Sequence, residues 1–215
     1  MPKYVHCPEG VEHLCKKAEG LIIPLFQKRK WDSERGAVLF NGERYIMYRS
    51  EAVAFELREQ LSRVMGQAAD IVMYHFGKAC GKSDAIYYCN ELKVDNAKLK
   101  LAIGSIACAM NGFAVAEILP ESNAVFNEDF LVVYQYENSY EAEANLKNDK
   151  SFERSICFMN AGYSAGWCSE VSGMRLESKE ITCRAKGDSK CMFVLAPANR
   201  INKMVEEVKT AYNLN

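Results

Sequence analysis

The chain has 215 residues, 49% of them hydrophobic, with 27 basic and 28 acidic side chains. That apolar fraction supports a core for one generous domain or two small ones and excludes a disordered polyelectrolyte. The formal net charge of -1 removes any bulk electrostatic pull toward nucleic acid or an anionic membrane, and no apolar run approaches the ~20 residues that a membrane-crossing helix needs. No apolar segment of the secretory kind follows the basic start, so a cytoplasmic location is expected. In that compartment the nine cysteines should be thiols, metal ligands or redox groups, not a disulfide frame.

Residues 1–30 read as an N-terminal appendage. A short helix from Glu9 to Glu19 ends at Gly20, an apolar run is broken by Pro24, and the basic triplet Lys28-Arg29-Lys30 is expected in solvent. Val38-Leu39-Phe40 and Tyr45-Ile46-Met47 flank Asn41-Gly42, a tight-turn pair, and predict a hairpin. Ser50 starts a helix whose apolar positions run to Met65, where Gly66 interrupts, and a second helical stretch covers Ile71 to Cys80. Leu99, Ala102, Ile103, Ile106 and Met110 share one stripe of a helix that begins at Asn96 and stops at Gly112. Phe113–Leu119 and Phe130–Tyr136 read as paired strands, Ser139–Leu146 as a short helix, and Phe152–Val171 as a helix rich in small residues. Arg175–Ala185 and Cys191–Leu195 form a final hairpin around Gly187-Asp188. Arg200–Tyr212 is an amphipathic helix with Ile201, Met204, Val205 and Val208 on one face. The pattern predicts a single α+β domain.

Few motifs carry chemistry. Gly77-Lys78-Ala79-Cys80-Gly81-Lys82-Ser83 resembles a phosphate-binding loop, but three residues separate its glycines where four are needed, and it follows a helix, not a strand. His6, His13 and His75 are scattered, and no nucleophile–base pair or paired carboxylate pattern appears, so the reading is not an enzyme. Lys78 and Lys82 near Cys80 could lower a thiol pKa and make a redox sensor, although a buried inert thiol is the usual case. Glu180 and Cys183 precede Cys191 by a spacing that a hairpin brings together. A bulge or strand end near Thr182 would turn Glu180 and Cys183 toward one ion, with a fourth ligand from a cysteine on the preceding helix. Cysteines facing across a hairpin are also common as packed small apolar groups, so spacing alone leaves the metal open.

The stretch Gly162-Tyr163-Ser164-Ala165-Gly166-Trp167, with Ser169-Glu170 and then Lys179-Glu180, Cys183-Arg184-Ala185, Gly187-Asp188, Cys191 and Phe193, resembles the vinyl-4-reductase domain family. Tyr136-Glu137-Asn138-Ser139-Tyr140-Glu141-Ala142-Glu143, together with Leu61–Gly66 and Phe76-Gly77, resembles the sensor domains of aromatic-responsive sigma-54-dependent activators. The likeness runs over residues 35–197 and leaves the first 30 uncovered.

That resemblance implies a sensor domain over 31–197 and a closed, structural zinc site at Cys157, Glu180, Cys183 and Cys191 within a subdomain at 152–197. It implies a fold like that of TRAPP trafficking subunits, which dimerise through helices, hence a homodimer. The helix within 198–215 becomes a linker or dimerisation element, since its apolar stripe would otherwise be exposed. The implied ligand is a small, apolar or aromatic molecule in a pocket formed by Cys108, Phe126, Tyr134, Tyr136 and Trp167, controlling a transcriptional or signalling output. Cys108 and Tyr136 stand where phenol sensors carry a histidine and a tryptophan, so the preferred ligand should depend less on a hydroxyl. A tetrapyrrole-binding protein of the vinyl-reductase type and a thiol redox sensor are the alternatives.

Overall fold

The alternating apolar segments assemble into a five-stranded sheet in the computed structural model, which describes residues 4–214. Strands β1 (Val5–His6), β5 (Ala116–Ile118), β6 (Val132–Tyr136), β7 (Leu176–Thr182) and β8 (Cys191–Pro197) lie in the order β1-β5-β6-β8-β7. Only the short β1–β5 pair is parallel. Every residue of β8 is buried. Its period of two explains this: Cys191, Phe193 and Leu195 face the main core, while Met192, Val194 and Ala196 face a second cluster on the opposite side. Helices α1 (Glu12–Gln27), α3 (Ala68–Glu91), α4 (Ala97–Met110) and α6 (Phe158–Ser172) cover the first face. Helix α7 (Ile201–Ala211) covers the second with Ile201, Met204, Val205 and Val208. The apolar stripe of α7 is therefore satisfied within its own chain, and its expected exposure does not hold.

The predicted hairpin at Asn41-Gly42 is present as β3 (Ala37–Phe40) and β4 (Glu43–Tyr45). A third strand, β2 (Arg29–Asp32), pairs with β3 and takes in part of the basic triplet, whose side chains are exposed as expected. A π-helical stretch at Ala52–Leu57 leads into α2 (Arg58–Met65), which ends at Gly66 with φ +59°. Asn96 caps α4, accepting from the Leu99 amide at 2.9 Å. Helix α1 belongs to the core through Ala18, Ile22 and Leu25. Cys7, just after β1, is disulfide-bonded to Cys15 in the first turns of α1, so these two are not the thiols expected.

Helices α3 and α6 cross at backbone contact, and glycine is what permits it. A Cβ at Gly81 would sit 2.0 Å from the Tyr163 carbonyl oxygen, and one at Gly166 would sit 2.0 Å from that of Lys78. Gly77 and Gly162 are equally constrained. The phosphate-loop-like segment is thus the middle of a 24-residue helix, its glycines used for close packing. The outer edge of β7 is sealed by side chains: Lys78 Nζ and Ser169 Oγ donate to the Leu176 carbonyl, and the Ser178 amide donates to the Tyr74 hydroxyl at 3.3 Å.

Candidate functional site

The β7–β8 hairpin carries a register shift between Glu180 and Thr182, at the position where the sequence required one. In a regular strand Glu180 and Cys183 would point to opposite faces; the irregularity turns them to the same side. A turn of 3-10 helix at Arg184–Lys186 and Gly187 at φ +108° then return the chain so that Cys191 opens β8. The Cys183 amide donates to Asp188 Oδ2 at 2.7 Å and holds this turn. Residues 152–157 precede α6 instead of belonging to it, because the helix starts only at Phe158, so Cys157 is its N-cap residue and not a mid-helix ligand.

Four side chains converge there. One ligand atom from each of Cys157, Glu180, Cys183 and Cys191 lies within 4.8 Å of the others. The Cys157 sulfur is 4.0 Å from that of Cys183 and 3.8 Å from that of Cys191. A tetrahedral ion with metal–sulfur bonds of about 2.3 Å needs sulfur–sulfur edges of about 3.8 Å. Glu180 Oε2 accepts from the Cys157 amide at 2.8 Å, while its Oε1 is buried without any hydrogen-bond partner. A buried carboxylate oxygen left unpaired is costly unless a cation meets it. Burial drives the Cys157 thiol and the Glu180 carboxyl well above their ordinary values, whereas hydrogen bonds from Cys157 and Cys191 pull Cys183 down. The cluster therefore cannot hold four anions unaided. The donor set, the edge lengths and the orphaned oxygen all fit a metal ion, and sulfur-rich tetrahedral sites favour zinc among the common divalent ions.

The expected aromatic pocket lies between α4, α6 and the sheet. Cys108, Tyr134, Tyr136 and Trp167 line one cavity of about 50 Å³, with Gly104 and Ser164. The Tyr136 hydroxyl stands 3.7 Å from the Cys108 sulfur, and the Tyr134 hydroxyl 3.0 Å from Ser178 Oγ. Tyr134 stacks on Phe193 with ring centroids 5.0 Å apart. The Trp167 indole donates to the Lys100 carbonyl at 3.0 Å and occupies the space a Cβ at Gly104 would need. Burial pushes the Cys108 thiol up to about 12, so it meets the cavity as a neutral S–H. Phe126 is not among the lining residues; it is 38% exposed and packs toward Phe130.

Two features escaped sequence reading. Asp84 sits behind the cavity, accepting from Tyr163 at 2.8 Å and Asn111 at 2.9 Å, and burial raises it to about 6. A surface groove of about 720 Å³ runs between α3, the start of α6, β7 and α7, with Ile71, Phe158, Ile181 and Val205 in its wall. Neither was visible because its residues come from segments far apart in the chain. Cys80 does not meet the requirement for a reactive thiol. Burial raises its pKa, and Lys78 is engaged by Glu177 at 2.9 Å.

A sequence profile of the vinyl-4-reductase domain matches residues 133–197. Over these residues the chain is similar to that domain family. All four metal-site residues lie within the matched span, as do Tyr134, Tyr136 and Trp167. A second profile, described as activator of aromatic catabolism, matches residues 25–122 and includes Cys108. The phenol regulator MopR of Acinetobacter guillouiae is 24% identical over 177 residues, 82% of this chain, which spans only 31% of that regulator's length. The crystal structure of the phenol-responsive sensory domain of the transcription activator PoxR, solved with phenol, superposes with a TM-score of 0.74 at 17% identity. The match covers 90% of this chain and 92% of that one. A trafficking protein particle complex subunit 3 from Naegleria fowleri, covalently bound to palmitic acid, matches at a TM-score of 0.50 and 13% identity, covering 69% and 94%. The chain thus has the mixed α+β fold of these proteins. Among the described residues, no helix is long and apolar enough to cross a membrane.

Proposed function

We propose that this chain is a ligand-binding sensor unit that recognises a small, largely apolar aromatic molecule and is stabilised by one structural zinc ion. The aromatic-lined cavity at Cys108, Tyr134, Tyr136 and Trp167 carries the reading. Its place in a chain matched by both profiles, and the phenol-related names of MopR and PoxR, support it. Aromatic walls favour stacked and edge-on contacts with a ring. The Tyr136 hydroxyl supplies one directional hydrogen bond, and the neutral Cys108 thiol is a weaker partner than an imidazole. The ligand is accordingly one that depends less on a hydroxyl than phenol does.

The cavity volume adds a physical requirement. About 50 Å³ is too little for a ring, since a cavity of roughly 150 Å³ is what holds benzene in a well-studied engineered case. The ligand must therefore select a state in which Tyr136 or Trp167 has moved, which is the differential affinity for two states that signalling demands. A transcriptional or signalling output and the division into a sensor unit at 31–197 with its zinc subdomain belong to the same proposal.

The test is a thermal-shift screen of monocyclic and bicyclic aromatics against the wild type, Tyr136→Ala and Trp167→Ala. A ligand should raise the wild-type melting point by mass action and leave both variants unmoved. Equal shifts in all three would place binding elsewhere, for instance in the groove of about 720 Å³ between α3, β7 and α7. For the metal, one zinc per chain is expected by elemental analysis, and Cys183→Ser should lower zinc content and stability together, since structural-metal affinity is folding energy. A folded, zinc-free wild type would refute this part.

A further inference from the structure

Three thiolates and a carboxylate around a divalent ion leave a formal excess of two negative charges in a buried site. Such a site needs hydrogen-bond donors on its sulfurs. Two sulfurs are served by the backbone: the Arg184 amide donates to Cys191 Sγ at 3.4 Å, and Ile156 contributes a backbone hydrogen bond to Cys183. Cys157 is served differently. Its sulfur lies 3.2 Å from the hydroxyl of Ser139, a residue with no exposed surface.

We propose that Ser139 is a positioning residue of the metal centre, donating its hydroxyl hydrogen to the Cys157 thiolate. The inference rests on the zinc reading above and extends it to a residue outside the four ligands. The direction of the hydrogen bond follows from counting. A serine hydroxyl has one hydrogen and two lone pairs. Asn160 Nδ2 donates to Ser139 Oγ at 2.9 Å, and the Ala142 amide donates to it at 3.5 Å as the cap of α5 (Tyr140–Leu146). Both lone pairs are taken, so the hydrogen is left for sulfur. The backbone amides of Asn160 and Met159 donate to the Glu141 carboxylate at 2.8 and 3.1 Å and fix the first turn of α6, which carries Asn160. Ser139, Glu141 and Asn160 thus form one buried frame that joins the N-terminus of α5 to that of α6 and ends on the metal-binding sulfur. This gives the Ser139–Glu143 segment a chemical role that its helix-capping pattern alone does not require.

The experiment compares wild type, Ser139→Ala, Ser139→Thr and Asn160→Asp. Zinc affinity is read by competition with a chromophoric chelator, and the thiolate-to-metal charge-transfer band after cobalt substitution. Asn160→Asp replaces the donor to Ser139 with an acceptor that captures its hydrogen, so it removes the bond to sulfur without touching the α5 cap. Ser139→Ala and Asn160→Asp should each bind zinc 10- to 100-fold more weakly, the usual loss for an outer-shell partner. In both, the cobalt band should move to longer wavelength, because an unbonded thiolate is the better electron donor. Ser139→Thr, which keeps the hydroxyl, should restore affinity and band. Unchanged affinity and band in both loss variants would overturn the proposal. So would losses that threonine fails to restore, which would mark a packing role. If the wild type binds neither zinc nor cobalt, the zinc reading itself falls, an outcome distinct from failure of the Ser139 bond.

Discussion

Asp84 shows how a single part-buried acid ties the fold to pH. Its carboxyl is raised by burial to about 6 from an ordinary value near 4, despite donors from Tyr163 and Asn111 that favour the anion. The native state therefore holds this proton more tightly than the unfolded chain does. Stability from the group is complete below about pH 4 and is lost as the pH rises through about 6. Asp84→Asn should remove that dependence, since asparagine can still accept from Tyr163. Melting curves of wild type and variant between pH 4 and 8 check this: the stability difference should shift against the wild type across the window, and parallel curves would refute it. Little of this was legible in the sequence. Asp84 looked like one acid among many, and only the meeting of α3, α4 and α6 buries it. Cys183 and Cys191 were readable because a short hairpin links them, while Cys157 needed the family likeness.

Among the elements, the crossing of α3 and α6 is the least tolerant of change. Gly81→Ala would force a methyl group onto the Tyr163 carbonyl, a backbone atom that cannot swing aside. Overpacking of this kind typically costs on the order of 1–3 kcal/mol, and here the helices themselves must separate. The variant should show a lower urea midpoint with an unchanged slope. Gly20, with open space around it, is the control that should tolerate alanine. The sequence marked the small residues of α6 as allowing close packing but led to a spurious nucleotide motif in α3, because glycine spacing in one segment does not reveal the partner helix. The α6 start was misjudged for a related reason. Residues 152–157 continue an apolar pattern but are held as a loop, with the Phe152 amide bonded to the Ala185 carbonyl at 2.9 Å. At the N-terminus, the Cys7–Cys15 bond spans 8 positions, and on the chain-entropy account such a loop contributes about 2.5 kcal/mol. A reductant should lower the melting temperature of the wild type but leave Cys15→Ser unaffected.

For the whole molecule, exposed apolar side chains lie on α2, on α3, on β2 (Trp31) and just after β4 (Ile46, Met47 and Tyr48), and not on α7. Val64 is 85% exposed and Phe76 53%, with Val72 and Ile86 along the same side of α3. Contiguous exposed apolar side chains of this kind mark interaction surfaces. The homodimer that the family resemblance implies is expected to use this face. Phe76→Glu should convert a dimer to a monomer of 24.3 kDa by light scattering, with unchanged helical content; a dimer that survives the change must use another surface. The sequence suggested α7 because amphipathicity shows that a face is buried without showing against what.

The sealed edge of β7 has a consequence for solubility. An outermost strand is ordinarily a template on which another chain can add a strand and begin aggregation. Here the outward carbonyl of Leu176 and the outward amide of Ser178 are already bonded to Lys78, Ser169 and Tyr74. Tyr74 and Lys78 lie on successive turns of α3 and Ser169 on α6, so the two crossing helices act together as the guard. Changes at Tyr74 and Lys78 would leave the packed core intact yet open a strand edge. They should appear as a loss of soluble yield at high protein concentration, well before any loss of secondary structure.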